Sequence, residues 1–335
     1  MTKLVYASVL AIAASAMAAP AFAQDNQECG RVTIAEMNWA SAGVAAWVDK
    51  IVLEEGFGCQ VELVTGDTMP TFTSMNERGQ PDVAPELWIN AVKDPLEAAV
   101  AEGRLITLSE ILTDGGVEGW WVPAYFAEAN PEITSVEQAL QHPDLFPAPE
   151  NAARGGIYTC PAGWACQITT ENLFRALDAE AQGFDLVETG SAAGLDGSIG
   201  NAYARGEPWL GYYWAPTAVL GMYDMVMLPF EVDVDEQHFV ECISVVGCPD
   251  PQVTAYPVAE VFTVVTQQMA ENNPVAVGYL ETRAWGNDTV NAILAWQMEN
   301  QATNEDAAWW FFENFPEVWG AWLSDDARTS VESAI

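Results

Sequence analysis

The order in which strand and helix patterns follow one another is the sequence feature that most constrains the fold of this chain. Residues 31–35 (RVTIA) have the β-branched, apolar character of a strand, residues 42–55 show helical periodicity that ends at Gly56, and residues 61–64 (VELV) predict a second strand. A strand, helix, strand order predicts a parallel sheet covered by helices. We therefore expect an α/β fold.

The same alternation continues along the chain and predicts two α/β lobes joined by a hinge, with a ligand cleft between them. Residues 24–121 are expected to form the first part of lobe 1, residues 122–255 lobe 2, and residues 256–335 a return segment to lobe 1. Further strands are predicted at 81–88, 105–106, 156–158, 184–187, 209–214 and 261–265, and further helices at 95–102, 135–140, 169–179, 195–205, 274–285, 289–300 and 304–312. Ligands in such folds bind outside the carboxyl ends of the strands.

Residues 1–23 have the pattern of a secretory signal peptide. Lys3 precedes an apolar run at residues 4–19, and the small-residue motif Ala21-Phe22-Ala23 precedes a polar stretch. We expect cleavage after Ala23 and a soluble protein in the periplasm, without a lipid anchor because no cysteine stands at the cleavage point. An uncleaved N-terminal anchor is the alternative.

Cysteine usage agrees with export, because an even number of cysteines in an exported chain predicts disulfides. The six fall in three pairs along the sequence: Cys29 and Cys59, Cys160 and Cys166, Cys242 and Cys248. Other connectivities remain open. A metal site is disfavoured, because the two histidines, His142 and His238, lie at no ligand spacing from a cysteine pair. Calcium at one of the many carboxylate clusters is left open.

The charge balance excludes whole classes of partner. The chain carries 48 acidic and 11 basic residues, for a net charge of −37. Nucleic acids and anionic membrane surfaces need a basic face and are excluded. The negative field favours cationic or zwitterionic ligands, although a solvated acidic surface explains the same composition.

Tryptophan provides the strongest functional signal. Of the 14 tryptophans, five fall at the ends of predicted strands or in the loops after them: Trp39, Trp88, Trp121, Trp164 and Trp214. Aromatic faces arranged as a box attract a methylated cation and bury its methyl groups. Core packing is the alternative for each ring taken alone.

Catalytic motifs are not found in the sequence, which lacks Gly-x-Ser-x-Gly, a phosphate-binding glycine loop and His-Glu-x-x-His. We therefore predict a binding protein without a cofactor and not an enzyme. The rival hypothesis is a secreted carbohydrate-active hydrolase that uses tryptophan stacking and paired carboxylates. A binding protein of the same fold for a sulfonium compound or a basic amino acid is a third possibility.

Two segments carry a family resemblance. Residues 159–166 (TCPAGWAC) resemble the disulfide-closed loop of the ProX-type glycine betaine binding proteins of the OpuAC group, and residues 212–216 (YYWAP) resemble that group's Tyr-x-Trp-x-Pro segment. Residues 228–230 and 256–258 also have counterparts there.

The resemblance implies a type II periplasmic binding protein fold and a role as the binding subunit of an ABC importer, with an inner-membrane permease as partner. We expect a monomer. It implies a tryptophan box with Trp88, Trp164 and Trp214, and backbone amides of Ala165 and Cys166 near a ligand carboxylate. Related choline-binding members use aromatics that match Trp39, Trp88, the Trp120-Trp121 pair and Trp214.

One departure from the family concerns the ligand carboxylate. The betaine proteins place a histidine shortly after the residue that matches Trp88, whereas residues 89–92 here are Ile-Asn-Ala-Val. Acidic residues near the box candidates, Glu36, Glu86 and Glu118, are available instead, with solvated or capping acids as the alternative. An ionised acid favours a net cation such as choline, and a protonated acid can donate to an N-oxide. We expect a small quaternary ammonium or methylated amine ligand such as glycine betaine, choline, carnitine or trimethylamine N-oxide.

Overall fold

The structure is a computed structural model that describes residues 29–335. The predicted signal peptide, residues 1–23, lies outside the described residues. The strands of the described part are β1 (Arg31–Met37), β2 (Gln60–Gly66), β3 (Val83–Trp88), β4 (Leu105–Glu110), β5 (Val117–Pro123), β6 (Gly155–Thr159), β7 (Phe184–Glu188), β8 (Gly211–Ala215), β9 (Met225–Leu228) and β10 (Val261–Thr266). They form two sheets of five strands each.

Sheet 1 has the order β2-β1-β3-β10-β4 and defines lobe 1. β1 pairs in parallel with β2 and β3, whereas β10 runs antiparallel between β3 and β4. Sheet 2 has the order β7-β6-β8-β5-β9 and defines lobe 2. β6 is parallel to β7 and β8, and β5 is antiparallel to β8 and β9. The two-lobed α/β fold is thereby confirmed.

Helices cover both sheets. They are α1 (Ala40–Ile51), α2 (Thr68–Arg78), α3 (Lys93–Ala101), α4 (Ala124–Ala129), α5 (Val136–Ala139), α6 (Ala165–Ala176), α7 (Ala192–Arg205), α8 (Ala218–Met222), α9 (Glu236–His238), α10 (Gln267–Asn272), α11 (Pro274–Leu280), α12 (Asn287–Asn300), α13 (Asn304–Asn314), α14 (Pro316–Trp319) and α15 (Asp325–Glu332). π-helical turns at Val52–Gly56 and Phe239–Ile243 continue α1 and α9, and 3-10 turns lie at Pro143–Leu145 and Gly320–Trp322. No helix in residues 29–335 combines the length and apolar character needed to span a bilayer.

The chain passes between the lobes twice, and the two connecting segments lie side by side. Gly116, just before β5, forms an antiparallel bridge with Ala259, just before β10. All of β5 belongs to sheet 2, so the sequence boundary at residue 121 falls inside that strand. A Cβ at Gly116 would clash with the ring of Trp88, so glycine at this point lets the indole lie against the crossing backbone.

Sequence patterns missed α2 and β5 for identifiable reasons. Pro70 stands in the first turn of α2, where its missing N–H costs no intrahelical hydrogen bond. β5 contains Gly119 and ends at Pro123, both unfavourable for a strand. Gly119 is tolerated because the side chain of Met227 on β9 fills the space in which its Cβ would lie. Pro70 is thus compatible with α2, whereas at β5 the neighbouring strand overrides local preference.

The structure contains the three disulfides Cys29–Cys59, Cys160–Cys166 and Cys242–Cys248. Cys29–Cys59 ties the segment before β1 to the segment before β2. The other two each close a short loop in the part of the chain that carries lobe 2. Pairing of neighbouring cysteines, the simplest of the connectivities left open by the sequence, is the arrangement found.

A buried ion pair lies in lobe 1. Both Asp49 and Arg283 are 0% exposed, and two guanidinium nitrogens of Arg283 donate to the two carboxylate oxygens of Asp49 at 2.9 and 2.7 Å. The hydroxyl of Tyr279 donates to Asp49 Oδ1 at 2.8 Å. Burial is the largest influence on the Asp49 carboxyl and raises its pKa, while Arg283 opposes the rise. This ion pair connects α1 to the segment after α11.

Candidate ligand-binding site

A cavity lies between the two lobes. Lobe 1 contributes Trp39, Thr68 and Trp88 to its wall. Lobe 2 contributes Glu118, Trp164, Ala165, Cys166, Tyr212 and Trp214. Four of the five tryptophans singled out in the sequence therefore meet at one place, together with Ala165 and Cys166.

Each tryptophan of this cavity occupies the carboxyl end of a strand or the loop after it. Trp39 follows β1 and stands at the N-cap of α1, and Trp88 is the last residue of β3. Trp164 follows β6 at the N-cap of α6, and Trp214 is the fourth residue of β8. Because β1, β3, β6 and β8 belong to the parallel parts of their sheets, their carboxyl ends converge on the cleft.

Three of the indole rings pack edge to face around the cavity and form a box. The centroids of Trp39 and Trp164 lie 5.5 Å apart at an interplanar angle of 72°, and those of Trp164 and Trp214 lie 5.1 Å apart at 82°. Tyr212 continues the wall parallel to Trp214, with centroids 6.3 Å apart and an angle of 22°. Such rings present faces and edges to a common volume, which suits a compact cation with apolar methyl groups.

Hydrogen bonds join the lobes at the cavity rim. Trp164 Nε1 donates to Asn38 Oδ1 at 2.6 Å, and the backbone N–H of Met69 donates to the carbonyl of Gly163 at 3.1 Å. Trp164 and Gly163 belong to lobe 2, whereas Asn38 and Met69 belong to lobe 1. The structure is therefore a closed arrangement held in part by the same tryptophan that lines the box.

Glu118 is the ionisable acid in the cavity wall. The hydroxyl of Tyr212 donates to its Oε1 at 2.7 Å, and Asn90 Nδ2 from lobe 1 donates weakly to its Oε2 at 3.4 Å. Burial raises the pKa of the Glu118 carboxyl, while the bonds from Tyr212 and Asn90 oppose the rise. Burial and these two hydrogen bonds thus act in opposite directions on the charge of Glu118.

Glu86 lies behind the wall instead of in it. It is 0% exposed, and its Oε1 accepts hydrogen bonds from Trp39 Nε1 at 2.7 Å, Ser41 Oγ at 2.8 Å and Trp88 Nε1 at 3.0 Å. Burial raises the pKa of this carboxyl, and the hydrogen bonds oppose the rise. Glu86 was a candidate ligand-binding residue in the sequence, and the structure places it in contact with the N–H edges of two indoles and not in the cavity lining.

The structure places Trp121 and Glu36 outside the cavity. Trp121 is adjacent to the buried Trp120 on β5, so it points to the opposite face, where its Nε1 donates to the carbonyl of Tyr213 at 3.0 Å. Glu36 accepts hydrogen bonds from Trp47 Nε1 and Asn304 Nδ2, each at 3.0 Å, on the helical side of β1. Neither residue is a candidate wall residue in this geometry.

Sequence reasoning missed Tyr212 and Thr68 as wall residues. A signal for Tyr212 was present, because residues two apart on a strand share a face and Trp214 was already a candidate. Thr68 is the first residue of α2, a helix that the sequence did not predict. Its place in the wall therefore had no local signal.

The first turn of α6 contributes backbone amides to the cavity wall, in contrast to the aromatic side chains of the other wall residues. Ala165 and Cys166 are its first two residues, and the Cys160–Cys166 disulfide closes the loop that leads into it. Backbone amides in a first turn have no carbonyl partner within the helix, and the helix end carries partial positive charge. This end of the cavity suits a ligand oxygen.

In residues 29–335 no cluster of three or more histidine, cysteine, aspartate or glutamate side chains is arranged to hold a metal ion.

Known structures share this architecture. The chain superposes on a glycine betaine/L-proline-binding protein (ProX) from Borrelia burgdorferi with a TM-score of 0.71, 20% identity, and coverage of 90% of this chain and 99% of that one. A choline-binding protein of an ABC transporter in complex with choline gives a TM-score of 0.72, 19% identity, and coverage of 91% and 98%. Lactococcal OpuAC, closed around glycine betaine, gives 0.67, 19%, and coverage of 88% and 100%.

The sequence itself gives the family. Residues 30–314 match the model for the substrate-binding domain of ABC-type glycine betaine transport systems. This match spans both sheets and every wall residue of the cavity. The chain therefore belongs to the OpuAC family of ABC-transporter substrate-binding domains and has the two-lobed periplasmic binding protein fold of that family.

Proposed function

We propose that this protein is the periplasmic binding subunit of an ABC importer and that it captures a small quaternary ammonium or methylated amine without chemical conversion. Family membership supports the transport role, and the signal-peptide pattern at residues 1–23 supports the location. The hydrolase alternative has no support from the family. The partner is a membrane permease that receives the ligand when the lobes open.

The observation that carries the proposal is the indole box between the lobes. Trp39, Trp164 and Trp214 surround one volume with nearly perpendicular rings, and Trp88 lines the same cavity. A desolvated cation–π contact contributes on the order of 2 kcal/mol. Several such contacts together offset the cost of association and give micromolar or tighter binding.

Glu118 and the first turn of α6 determine which polar or charged groups of a ligand the cavity can accept. A net cation such as choline is stabilised by ionised Glu118, whereas an N-oxide accepts a hydrogen bond from the protonated carboxyl. A betaine carboxylate can use the amides of Ala165 and Cys166 but lies in a cavity that also holds an acid. We therefore favour methylated ligands without a carboxylate, with trimethylamine N-oxide and choline as the leading candidates.

The test is a titration of the purified protein with glycine betaine, choline, carnitine, dimethylsulfoniopropionate and trimethylamine N-oxide. We expect a saturable change in tryptophan fluorescence and calorimetric heat with at least one compound, and no product after hours of incubation. Trp214→Ala removes a box wall and should abolish binding. Trp121→Ala is the matched control, because that indole lies outside the cavity. Equal loss in both variants, or no response to any compound, contradicts the proposal.

A further inference from the structure

Glu86 connects two walls of the cavity without touching its interior. One oxygen, Oε1, accepts hydrogen bonds from the indole N–H groups of the two lobe 1 tryptophans that line the cavity, Trp39 and Trp88, and from the hydroxyl of Ser41. The side chain has no solvent exposure. A buried carboxylate oxygen that accepts three hydrogen bonds fixes the orientation of the groups that donate them.

The charge of Glu86 has no dedicated counter-ion. Burial raises the pKa of Glu86, and the charge of Arg283, a buried cation near it, opposes the rise. However, Nε and Nη2 of Arg283 bind Asp49, Nη2 also donates to the carbonyl of Pro85 at 3.2 Å, and Nη1 donates to none of the described residues. The second oxygen, Glu86 Oε2, is buried and accepts no hydrogen bond from the described residues. The buried set formed by Asp49, Arg283 and ionised Glu86 therefore has one negative charge in excess.

This excess charge lies directly behind the aromatic wall. An indole that donates its N–H to a carboxylate becomes more electron-rich over its ring face, and a cation on the opposite side of the ring is attracted both by that face and by the carboxylate. We infer that Glu86 is a positioning residue that fixes the rings of Trp39 and Trp88 and makes the lobe 1 wall selective for a positively charged methylated group. The inference rests on the proposed function and assigns the charge preference to a residue outside the cavity.

Indole N–H resonances test the hydrogen bonds without any ligand. In protein labelled with ¹⁵N-tryptophan, Glu86→Gln should move two indole N–H signals upfield, because a charged acceptor is replaced by a neutral one. The amide nitrogen takes the place of Oε2, so the Oε1 acceptor is kept. The indoles of Trp164 and Trp121, which donate to Asn38 and to Tyr213, provide internal controls and should not move. Unmoved signals, or equal shifts in the control indoles, overturn the inference.

Selectivity separates the charge of Glu86 from a merely structural role. Two panel compounds are each paired with a carbon isostere, in which carbon replaces the formally positive nitrogen: choline with 3,3-dimethylbutan-1-ol, and trimethylamine N-oxide with tert-butanol. The pair used is the one whose nitrogen compound binds the wild type more tightly. Glu86→Gln should weaken the nitrogen compound by about five- to tenfold, in the range of one cation–π contact, and leave the isostere within about twofold. Ser41→Ala keeps the charge and both indole bonds and should preserve the ratio.

Glu86→Asp keeps the charge and shortens the side chain, so it should lower both affinities and keep their ratio near the wild-type value. An equal loss of both ligands in Glu86→Gln, or an unchanged affinity for the nitrogen compound, refutes the assigned role of Glu86 while leaving the proposed function intact. A wild-type protein that responds to none of the five panel compounds refutes the proposed function and the selectivity role with it, whereas one that binds neither choline nor trimethylamine N-oxide refutes the selectivity role alone. The indole shifts then report on the hydrogen bonds alone.

Discussion

Replacing Asn38 with alanine tests whether the contact across the cleft contributes to ligand affinity. Asn38 Oδ1 accepts the indole N–H of Trp164 at 2.6 Å, and this bond exists only when the lobes are together. Trp164 is 5% exposed, but Asn38 is exposed, so water replaces part of the lost bond. The net loss from the closed state is about 0.5–1.5 kcal/mol.

This loss should appear as reduced affinity, because ligand binding and lobe closure are coupled. A destabilisation of about 0.5–1.5 kcal/mol corresponds to about two- to tenfold weaker binding. The open state keeps its stability, because the Trp164 N–H is solvated there. Calorimetric titration with the best panel compound measures the affinity, and small-angle X-ray scattering measures the fraction of closed protein.

Asn130→Ala is the matched control. Asn130 Nδ2 donates to the carbonyl of Phe126 at 2.8 Å within lobe 2, so the variant loses a side-chain hydrogen bond that does not cross the cleft. Its affinity should stay within about twofold of the wild type. The reasoning is refuted if Asn38→Ala binds as tightly as the wild type, or if Asn130→Ala weakens binding to the same extent.

Three further substitutions test other parts of the structure. Gly116→Ala should weaken ligand binding at least fivefold by displacing the adjacent indole, whereas Gly197→Ala, which meets no atom within 4 Å, should not; equal affinities disprove the packing argument. Burial raises the pKa of Asp196 from 3.8 to about 6, so its contribution to stability is full below pH 3.8 and lost as pH rises through about 6. Asp196→Asn should therefore gain about 1–2 kcal/mol relative to the wild type between pH 4 and pH 7.5 in denaturant unfolding, after allowance for solvent screening, and a constant difference contradicts this assignment. Arg283→Met leaves Asp49 buried without its cation and should cost about 3–5 kcal/mol of unfolding free energy; a loss below about 1 kcal/mol rules out an important buried pair.

Four of the tryptophans that line the cavity could be selected from the sequence because strand ends can be read from periodicity. Trp39, Trp88, Trp164 and Trp214 each follow or end a run with strand character, and parallel strands bring such ends together. The prediction needed no knowledge of how the two sheets face one another. The family resemblance added the loop around Trp164, whose Cys160–Cys166 disulfide is present in the structure.

Side-chain direction could not be predicted as well. Trp120 and Trp121 are adjacent on β5 and point to opposite faces, and a shift of one residue exchanges them. Because the sequence pattern did not predict β5, it could not indicate which of the two tryptophans faces the cleft. Glu86 shares a face with Trp88 but lies two residues farther from the strand end, so it binds the indole N–H edges and does not line the cavity.

Binding of a matched pair of ligands tests the central claim most directly, because it separates a cation-selective box from an apolar cavity of the same shape. Calorimetry on the wild-type protein should compare choline with 3,3-dimethylbutan-1-ol, and trimethylamine N-oxide with tert-butanol. At least one nitrogen compound should bind at least about tenfold more tightly than its carbon isostere, as expected from two or more cation–π contacts. Equal affinities within each pair would contradict the proposed recognition of a methylated ammonium group by Trp39, Trp88, Trp164 and Trp214, and no binding of either nitrogen compound would contradict the choice of choline and trimethylamine N-oxide as leading candidates.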